Sequence, residues 1–109
     1  MKQNVCLLIA VIIASAGLAS AADTSALWNQ HCASCHAKDG SGSTMMGKKL
    51  GLKDYRDGKF QAAFTDAEAE RAIKEGVKTN GKETMKPFES KLSDADVKAL
   101  VAYIRAFKK

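Results

Sequence analysis

The sequence predicts an all-α protein of one domain. Three segments begin at residue types that cap helices, and two of these segments carry an apolar stripe at helical spacing. No segment alternates apolar and polar side chains as a half-buried strand does, and no internal repeat is present. The chain is 109 residues long, which is enough for one small domain.

Residues 1–22 are predicted to be a cleavable export signal rather than part of the folded domain. A short basic start is followed by an apolar run, and residues 19–21 (ASA) form a small-residue cleavage site. The apolar run is short for a membrane span, which needs about 20 residues. We therefore expect cleavage after Ala21 or Ala22, which would also remove Cys6 and leave no stable membrane insertion. An uncleaved N-terminal anchor is the alternative.

Cleavage would change both the composition and the location of the chain. It would leave residues 23–109, a domain of 87 residues, and would lower the formal charge from +5 to +4 because Lys2 is the only charged residue lost. A domain of this size usually needs a staple in addition to its hydrophobic core. The predicted location is the periplasm or another extracytoplasmic compartment.

Residues 32–36 read CASCH, and this motif carries most of the functional information. C-x-x-C-H is the pattern of covalent haem attachment, in which two thiols add to the porphyrin vinyl groups as thioethers. Histidine is the usual proximal ligand of haem iron. We therefore predict Cys32 and Cys35 as the thioether positions and His36 as an axial iron ligand. The haem itself would be the staple that so small a domain needs.

Two other uses of paired cysteines fit the surrounding sequence less well. A redox C-x-x-C usually lies in a βαβ pattern, which this chain lacks. Tetrahedral zinc needs four ligands, and the only further candidates are His31 and the leader residue Cys6. His31 directly precedes the motif and would have to bend back to reach the iron, so we expect it at the surface.

The first predicted helix starts at residues 23–25 (DTS) and runs into the motif. Trp28 lies one helical turn before Cys32 on the same face, and we expect it to be buried. The Gly-, Ser- and Lys-rich stretch 37–52 follows and is expected to be a loop. Residues 52–64 carry no clear pattern.

The loop stretch contains two methionines, Met45 and Met46, only nine and ten residues after His36. A second axial ligand must approach from the opposite face of the haem. Because so short a path is unsuited to reaching that face, we expect both methionines to be packing or surface residues.

Two further helices are marked by capping signals. Residues 65–68 (TDAE) form a capping box, and Gly76 is the predicted end of that helix. Residues 93–96 (SDAD) resemble a capping box with Asp in the fourth position. The final helix is predicted to cross the Trp28 helix through a continuous apolar stripe of Val97, Leu100, Val101, Ile104 and Phe107.

Met85 is the candidate second axial ligand. Pro87, the only proline, pushes Lys86 out of helical conformation, so Met85 is expected on a stiff extended segment. Met85 follows a predicted loop over residues 77–84 with an Asn-Gly turn, and it stands 49 residues after His36. That is ample chain to pass round the haem edge. The alternative is a core methionine that fills an irregular gap.

Together these features resemble the small single-haem class I cytochromes c of bacteria, the group that includes the c5, c6 and c551 types. The resemblance covers about residues 24–107 and rests on Trp28, the CASCH motif, the glycine-rich loop, the Met85 segment and the start of the final helix. It implies three to five helices around one covalent haem c, with His36 and Met85 as axial ligands. The implied function is to carry single electrons between exported or membrane-bound redox proteins, without enzymatic activity.

Two positions depart from the pattern of that group. Ala37 follows the histidine where the group usually has Gly, and residues 47–50 read GKKL where it usually has G-P-x-L. In the group, the carbonyl of that proline accepts a hydrogen bond from the proximal imidazole. Without the proline, the position of an accepting carbonyl is less fixed, and with it the orientation of His36.

The distribution of charged residues indicates which classes of partner to expect. No basic run is interleaved with aromatic residues, so nucleic acid is not an expected partner. Lysines in the loops expected to border the haem edge suggest a docking surface for acidic redox partners, although an ordinary solvated surface would look the same. These lysines are Lys48, Lys49, Lys53, Lys78, Lys82 and Lys86.

Two other functions stay open at this point. A five-coordinate haem sensor or peroxidase-like protein would apply if Met85 is not a ligand. The chain could also be the fixed electron-entry subunit of a dehydrogenase.

Overall fold

A computed structural model describes residues 21–109, so the predicted leader lies outside the described residues except for its last two. The described part forms six helices and a two-stranded antiparallel sheet. In chain order these are α1 (Ala21–His31), α2 (Ala33–His36), α3 (Met45–Leu50), α4 (Gly58–Ala62), α5 (Asp66–Glu75), β1 (Val77–Thr79), β2 (Lys82–Met85) and α6 (Asp94–Ala106).

The hairpin of β1 and β2 corrects the all-α prediction, which is right only in that the fold is mostly helical. Thr79 pairs with Lys82, and the two residues between them, Asn80 and Gly81, have positive φ angles of 53° and 78°. Asn-Gly is the sequence that such a two-residue turn favours. The strands are three and four residues long and largely exposed, so they show no apolar alternation. β2 ends at Met85, whose extended conformation agrees with the prediction.

Two short helices lie in segments for which no helix was predicted: α3 in the predicted loop over residues 37–52, and α4 in the stretch without a clear pattern. α3 begins after Thr44, whose side chain accepts from the Gly47 amide, and ends at Gly51 in the left-handed region. α4 begins after Asp57, whose side chain accepts from the Lys59 amide. Caps rather than an apolar stripe define helices this short. The described part of the chain therefore has six helices, and the predicted three to five is too few.

The helix ends predicted from capping signals are confirmed for α5 and α6, but residues 23–25 lie inside α1, which already includes Ala21, so the predicted start of the first helix is wrong. Thr65 and Glu68 form a complete capping box at the start of α5, and Gly76 ends that helix with φ 75°. Ser93 and Asp96 form a complete capping box at the start of α6, so Asp serves in the fourth position.

The core lies where α1 and α5 pack against α6. Trp28 is 1 % exposed, and its ring centroid lies 5.6 Å from that of Tyr103 and 5.1 Å from that of Phe107, which confirms the predicted crossing of the first and last helices. No helix among the described residues is long and apolar enough to cross a bilayer. The buried core consists of Trp28, Ile73, Phe88, Leu92, Val97, Leu100, Val101 and Ile104.

A buried amide ties α4 to α6. The side-chain nitrogen of Gln61 donates to the carbonyls of Tyr55 at 2.7 Å and Ile104 at 2.9 Å, and its oxygen accepts from Arg105 at 2.9 Å. Arg105 also pairs with Asp66 at 2.8 Å. Because every polar group of the Gln61 side chain is paired, its burial costs little and the segment at Tyr55 is held against α6.

The turn after α2 places Ala37 in a conformation suited to glycine. Its φ is 65° and its ψ is 160°, and its carbonyl accepts from the indole nitrogen of Trp28 at 3.0 Å. Non-glycine residues in such regions cost about 1–3 kcal/mol. The departure from glycine noted in the sequence therefore falls on a strained position.

Ala37→Gly is expected to raise the free energy of unfolding by about 1 kcal/mol, since relief of strain exceeds the added entropy of a glycine in the unfolded chain. Ala102→Gly is the matched control, because Ala102 is exposed in the interior of α6. It is expected to lower the free energy of unfolding by about 1 kcal/mol. Urea unfolding followed by circular dichroism measures both, and destabilisation by both changes would contradict the strain at Ala37.

Candidate haem site

A partly open cavity of about 260 Å³ lies between α1, α2 and the C-terminal half of the chain. Aromatic side chains form much of its wall, and α5 and α6 supply aliphatic and small residues. The aromatic lining residues are Trp28, Tyr55, Phe60 and Phe64, and the aliphatic ones include Ile73, Leu100 and Ile104. An apolar cavity with few polar groups suits a flat apolar cofactor.

Three of the four predicted site residues line this cavity. Cys32, His36 and Met85 all belong to its wall, although Met85 is remote from the other two in sequence. Cys35 is half-buried on α2 and does not belong to the lining. Cys32 and Cys35 form no disulfide.

The motif is positioned by the continuation of α1 into α2. The amide of Cys32 donates to the carbonyl of Trp28, and the amide of His36 donates to that of Cys32, each at 2.9 Å. Helical spacing therefore sets the separation of the two cysteines and the direction of His36.

The His36 imidazole is packed between aromatic rings. Its centroid lies 5.3 Å from that of Tyr55 in a stacked arrangement and 5.7 Å from that of Trp28. Burial lowers the pKa of the His36 imidazole, which favours the neutral form that binds metal ions. Its Nδ1 is buried and has no hydrogen-bond partner among the described residues.

The Cys32 thiol is also held in its neutral form. Burial, and secondly the neighbouring Cys35, raise the pKa of Cys32 to about 11. The thiol therefore lies in an apolar setting at the cavity wall, where a porphyrin edge would be placed.

The Met85 segment is fixed against the C-terminal end of α5. The amide of Phe88 donates to the carbonyl of Ile73 at 2.9 Å. Gly76 packs so closely that a Cβ there would lie 2.5 Å from the carbonyl oxygen of Met85 and 2.9 Å from the nitrogen of Pro87. The α5 terminus thus determines where the thioether of Met85 lies.

Two methionines and one histidine lie near the motif in sequence but do not line the cavity. Met45 is 89 % exposed and Met46 is 44 % exposed, which confirms them as surface residues. His31 is half-buried rather than on the surface, with its ring edge-on to Phe88 at 5.5 Å. It does not line the cavity.

Phe64 is a wall residue that the sequence reasoning missed. It directly precedes the N-cap Thr65, the position of a hydrophobic staple, and this signal could have identified it. The guanidinium of Arg105 lies 4.2 Å from the centre of its ring. Arg105 thereby supports the outer side of the cavity wall.

The residues present fit a haem. An imidazole and a thioether both line the cavity, beside the thiol of Cys32 and the carboxylate of Glu68, and this pair is an established axial set for haem iron. The unpaired Nδ1 of His36 shows that the ring's polar atoms are not used up by contacts within the described protein. Cys32 and Cys35 would hold the porphyrin, and His36 and Met85 would hold its iron.

Comparisons with known proteins show the family of the chain. The family described as cytochrome c oxidase, cbb3-type, subunit III matches residues 19–104. The chain is 34 % identical over 93 residues to cytochrome c-554(547) of Halothiobacillus neapolitanus, in an alignment that covers 85 % of this chain and 100 % of that protein.

Solved structures show the same likeness. The KustC0563 c-type cytochrome matches with a TM-score of 0.71 and 40 % identity, covering 79 % of this chain and 98 % of that one. A variant of that protein with one tyrosine changed to phenylalanine matches with a TM-score of 0.69 and 40 % identity, covering 79 % and 99 % of the two chains.

The matches extend over most of this chain and over nearly the whole of the relatives. Covalently bound haem c is the cofactor that defines cytochromes c. The chain therefore belongs to the family described as cytochrome c oxidase, cbb3-type, subunit III, and it is a small monohaem c-type cytochrome.

Proposed function

We propose that this cytochrome carries single electrons between redox proteins outside the cytoplasm, through a haem attached to Cys32 and Cys35 and ligated by His36 and Met85. One observation carries the proposal: the thiol of Cys32, the imidazole of His36 and the thioether of Met85 line the same cavity. The similarity to cytochromes c supports it.

The haem, when bound, supplies an iron that alternates between the ferric and ferrous states. The residues of the protein would attach the haem and ligate its iron. Thioethers from Cys32 and Cys35 would keep the haem from dissociating, and ligation by both His36 and Met85 would leave the iron no open position for oxygen or peroxide. The soft sulfur of Met85 would favour the ferrous state, so we expect a positive reduction potential.

Met85→Leu tests the second ligand, because it removes the sulfur and keeps the apolar bulk. We expect the reduction potential to fall, on the order of 0.1 V within the ~0.8 V range that axial ligands span. We also expect the reduced variant to bind CO at neutral pH, which the reduced wild type does not. Voltammetry and visible spectroscopy measure the two effects.

Met46→Leu is the matched control, since Met46 is half-exposed on α3. It is expected to change neither the potential nor the response to CO. A wild-type protein that binds CO, with Met85→Leu unchanged from it, would replace the carrier proposal by a five-coordinate haem sensor or peroxidase.

The lysines predicted to border the haem edge are all exposed. Lys82 lies on β2 and Lys86 directly follows Met85, so both flank the proposed second ligand. We propose that this positive surface steers acidic redox partners, because like-signed exposed charges raise the association rate of an oppositely charged partner. A dehydrogenase that co-purifies in fixed stoichiometry would instead make the chain a fixed electron-entry subunit.

The double variant Lys82→Glu/Lys86→Glu tests the steering surface. Oxidation of the reduced protein by hexacyanoferrate(III), an anion, is expected to slow by about tenfold or more at low salt, and the wild-type rate is expected to fall as ionic strength rises. Stopped-flow spectroscopy measures the rates.

Lys91→Glu/Lys98→Glu is the control, with the same change in net charge made at and before α6. Its rate is expected to stay near that of the wild type. Equal slowing in the two double variants would show that net charge alone matters, and a rate indifferent to salt would remove the steering proposal.

A further inference from the structure

The segment before α3 folds back onto the backbone of the haem motif. The hydroxyl of Thr44 donates to the carbonyl of Cys35 at 2.7 Å and accepts from the amide of Gly47 at 2.9 Å. The amide of Gly42 donates to the carbonyl of His36 at 2.9 Å. The last two carbonyls of the motif are therefore both bonded to this short segment.

The contact between α3 and the motif is close as well as hydrogen-bonded. A Cβ placed on Gly47 would lie 2.6 Å from the carbonyl oxygen of Cys35, and closer still to that of Gly42. Both neighbours are backbone atoms, so neither can move aside as a flexible side chain would. The Thr44 hydroxyl lies within this contact and is bonded both to the motif, at the carbonyl of Cys35, and to α3, at the amide of Gly47.

The direction of the His36 ring depends on this backbone. Its Nδ1 has no hydrogen-bond partner among the described residues, so no bond of that kind orients the imidazole. The orientation is left to the backbone that carries the side chain and to packing against the rings of Tyr55 and Trp28. A group that fixes the Cys35–His36 peptide therefore acts on the imidazole through the backbone and Cβ of His36 itself.

We propose that Thr44 is a positioning residue of the haem site. Its hydroxyl fixes the carbonyl of Cys35, and through it the direction in which His36 presents its imidazole to the iron, without contact between Thr44 and the haem. Partners outside the first set of ligands tune a metal centre in this way. The inference rests on the proposed function, in which His36 is an iron ligand.

Thr44→Val tests the proposal, because it keeps the shape of the side chain and removes both hydrogen bonds. Ser93→Ala is the control: Ser93 also caps a helix with its hydroxyl, at 3.1 Å from the Asp96 amide, and neither Ser93 nor Asp96 lines the cavity. Thr44→Ser keeps the hydroxyl. The haem-loaded proteins are compared by electron paramagnetic resonance of the oxidised iron, by reduction potential and by amide hydrogen exchange.

Thr44→Val is expected to change the g-values and the potential. The Gly42 amide is bonded to the carbonyl of His36 and so reports on the motif backbone. Its exchange is expected to become roughly threefold to tenfold faster, the equivalent of one hydrogen bond. Thr44→Ser is expected to restore all three. Ser93→Ala is expected to lower stability and leave all three as in the wild type. Equal changes in Thr44→Val and Ser93→Ala, or none in Thr44→Val, would overturn the proposal.

Thr44→Asp covers the case in which Thr44→Val is not recovered with haem. Its carboxylate can still accept from the Gly47 amide, but it cannot donate to Cys35, so the changes in g-values and Gly42 exchange are expected to persist. Wild-type behaviour of Thr44→Asp would contradict the role of the donated bond. A wild-type protein whose spectrum shows no haem would instead overturn the proposed function. Failure of the Thr44 proposal and failure of the proposed function therefore give different results.

Discussion

The indole of Trp28 is the contact on which the arrangement of the site depends. It is 1 % exposed, its ring lies 5.7 Å from that of His36 and 5.1 Å from that of Phe107, and its nitrogen donates to the carbonyl of Ala37 at 3.0 Å. One side chain thus joins α1, the haem motif and the end of α6. Because burial of a large aromatic contributes much of the stability of so small a core, the site and the closure of the fold share the same contacts.

The two segments that carry the proposed iron ligands are each fixed from outside the cavity. The backbone at His36 is bonded to the segment before α3, and the backbone beyond Met85 is bonded to the end of α5 through Phe88. When hydrogen bonds to other parts of the protein hold the segments that carry the ligands, the ligands move little as the iron gains or loses an electron. This is the property that a carrier of single electrons requires, and it follows from backbone contacts rather than from the ligands themselves.

Sequence reasoning predicted the features that are local in the chain. The cysteine spacing, the Trp28 turn and the capped helices α5 and α6 each depend on residues a few positions apart, so their patterns are visible without the fold. The hairpin and α3 were missed because short exposed elements depend on turns and caps rather than on periodicity. Phe64 and Gln61 both contact Arg105, which is some forty positions away in sequence, and periodicity does not predict contacts of that kind. Met85 was selected because Pro87 restricts its neighbour, but its place in the cavity wall comes from packing against α5.

The central claim is that Cys32 and Cys35 join this polypeptide covalently to one haem. The most direct measurement is the intact mass of the exported, matured protein under denaturing conditions, before and after treatment with an alkylating reagent. The account predicts the mass of the polypeptide plus one haem, with neither thiol alkylated. A mass equal to the bare polypeptide, with both thiols alkylated, would contradict it.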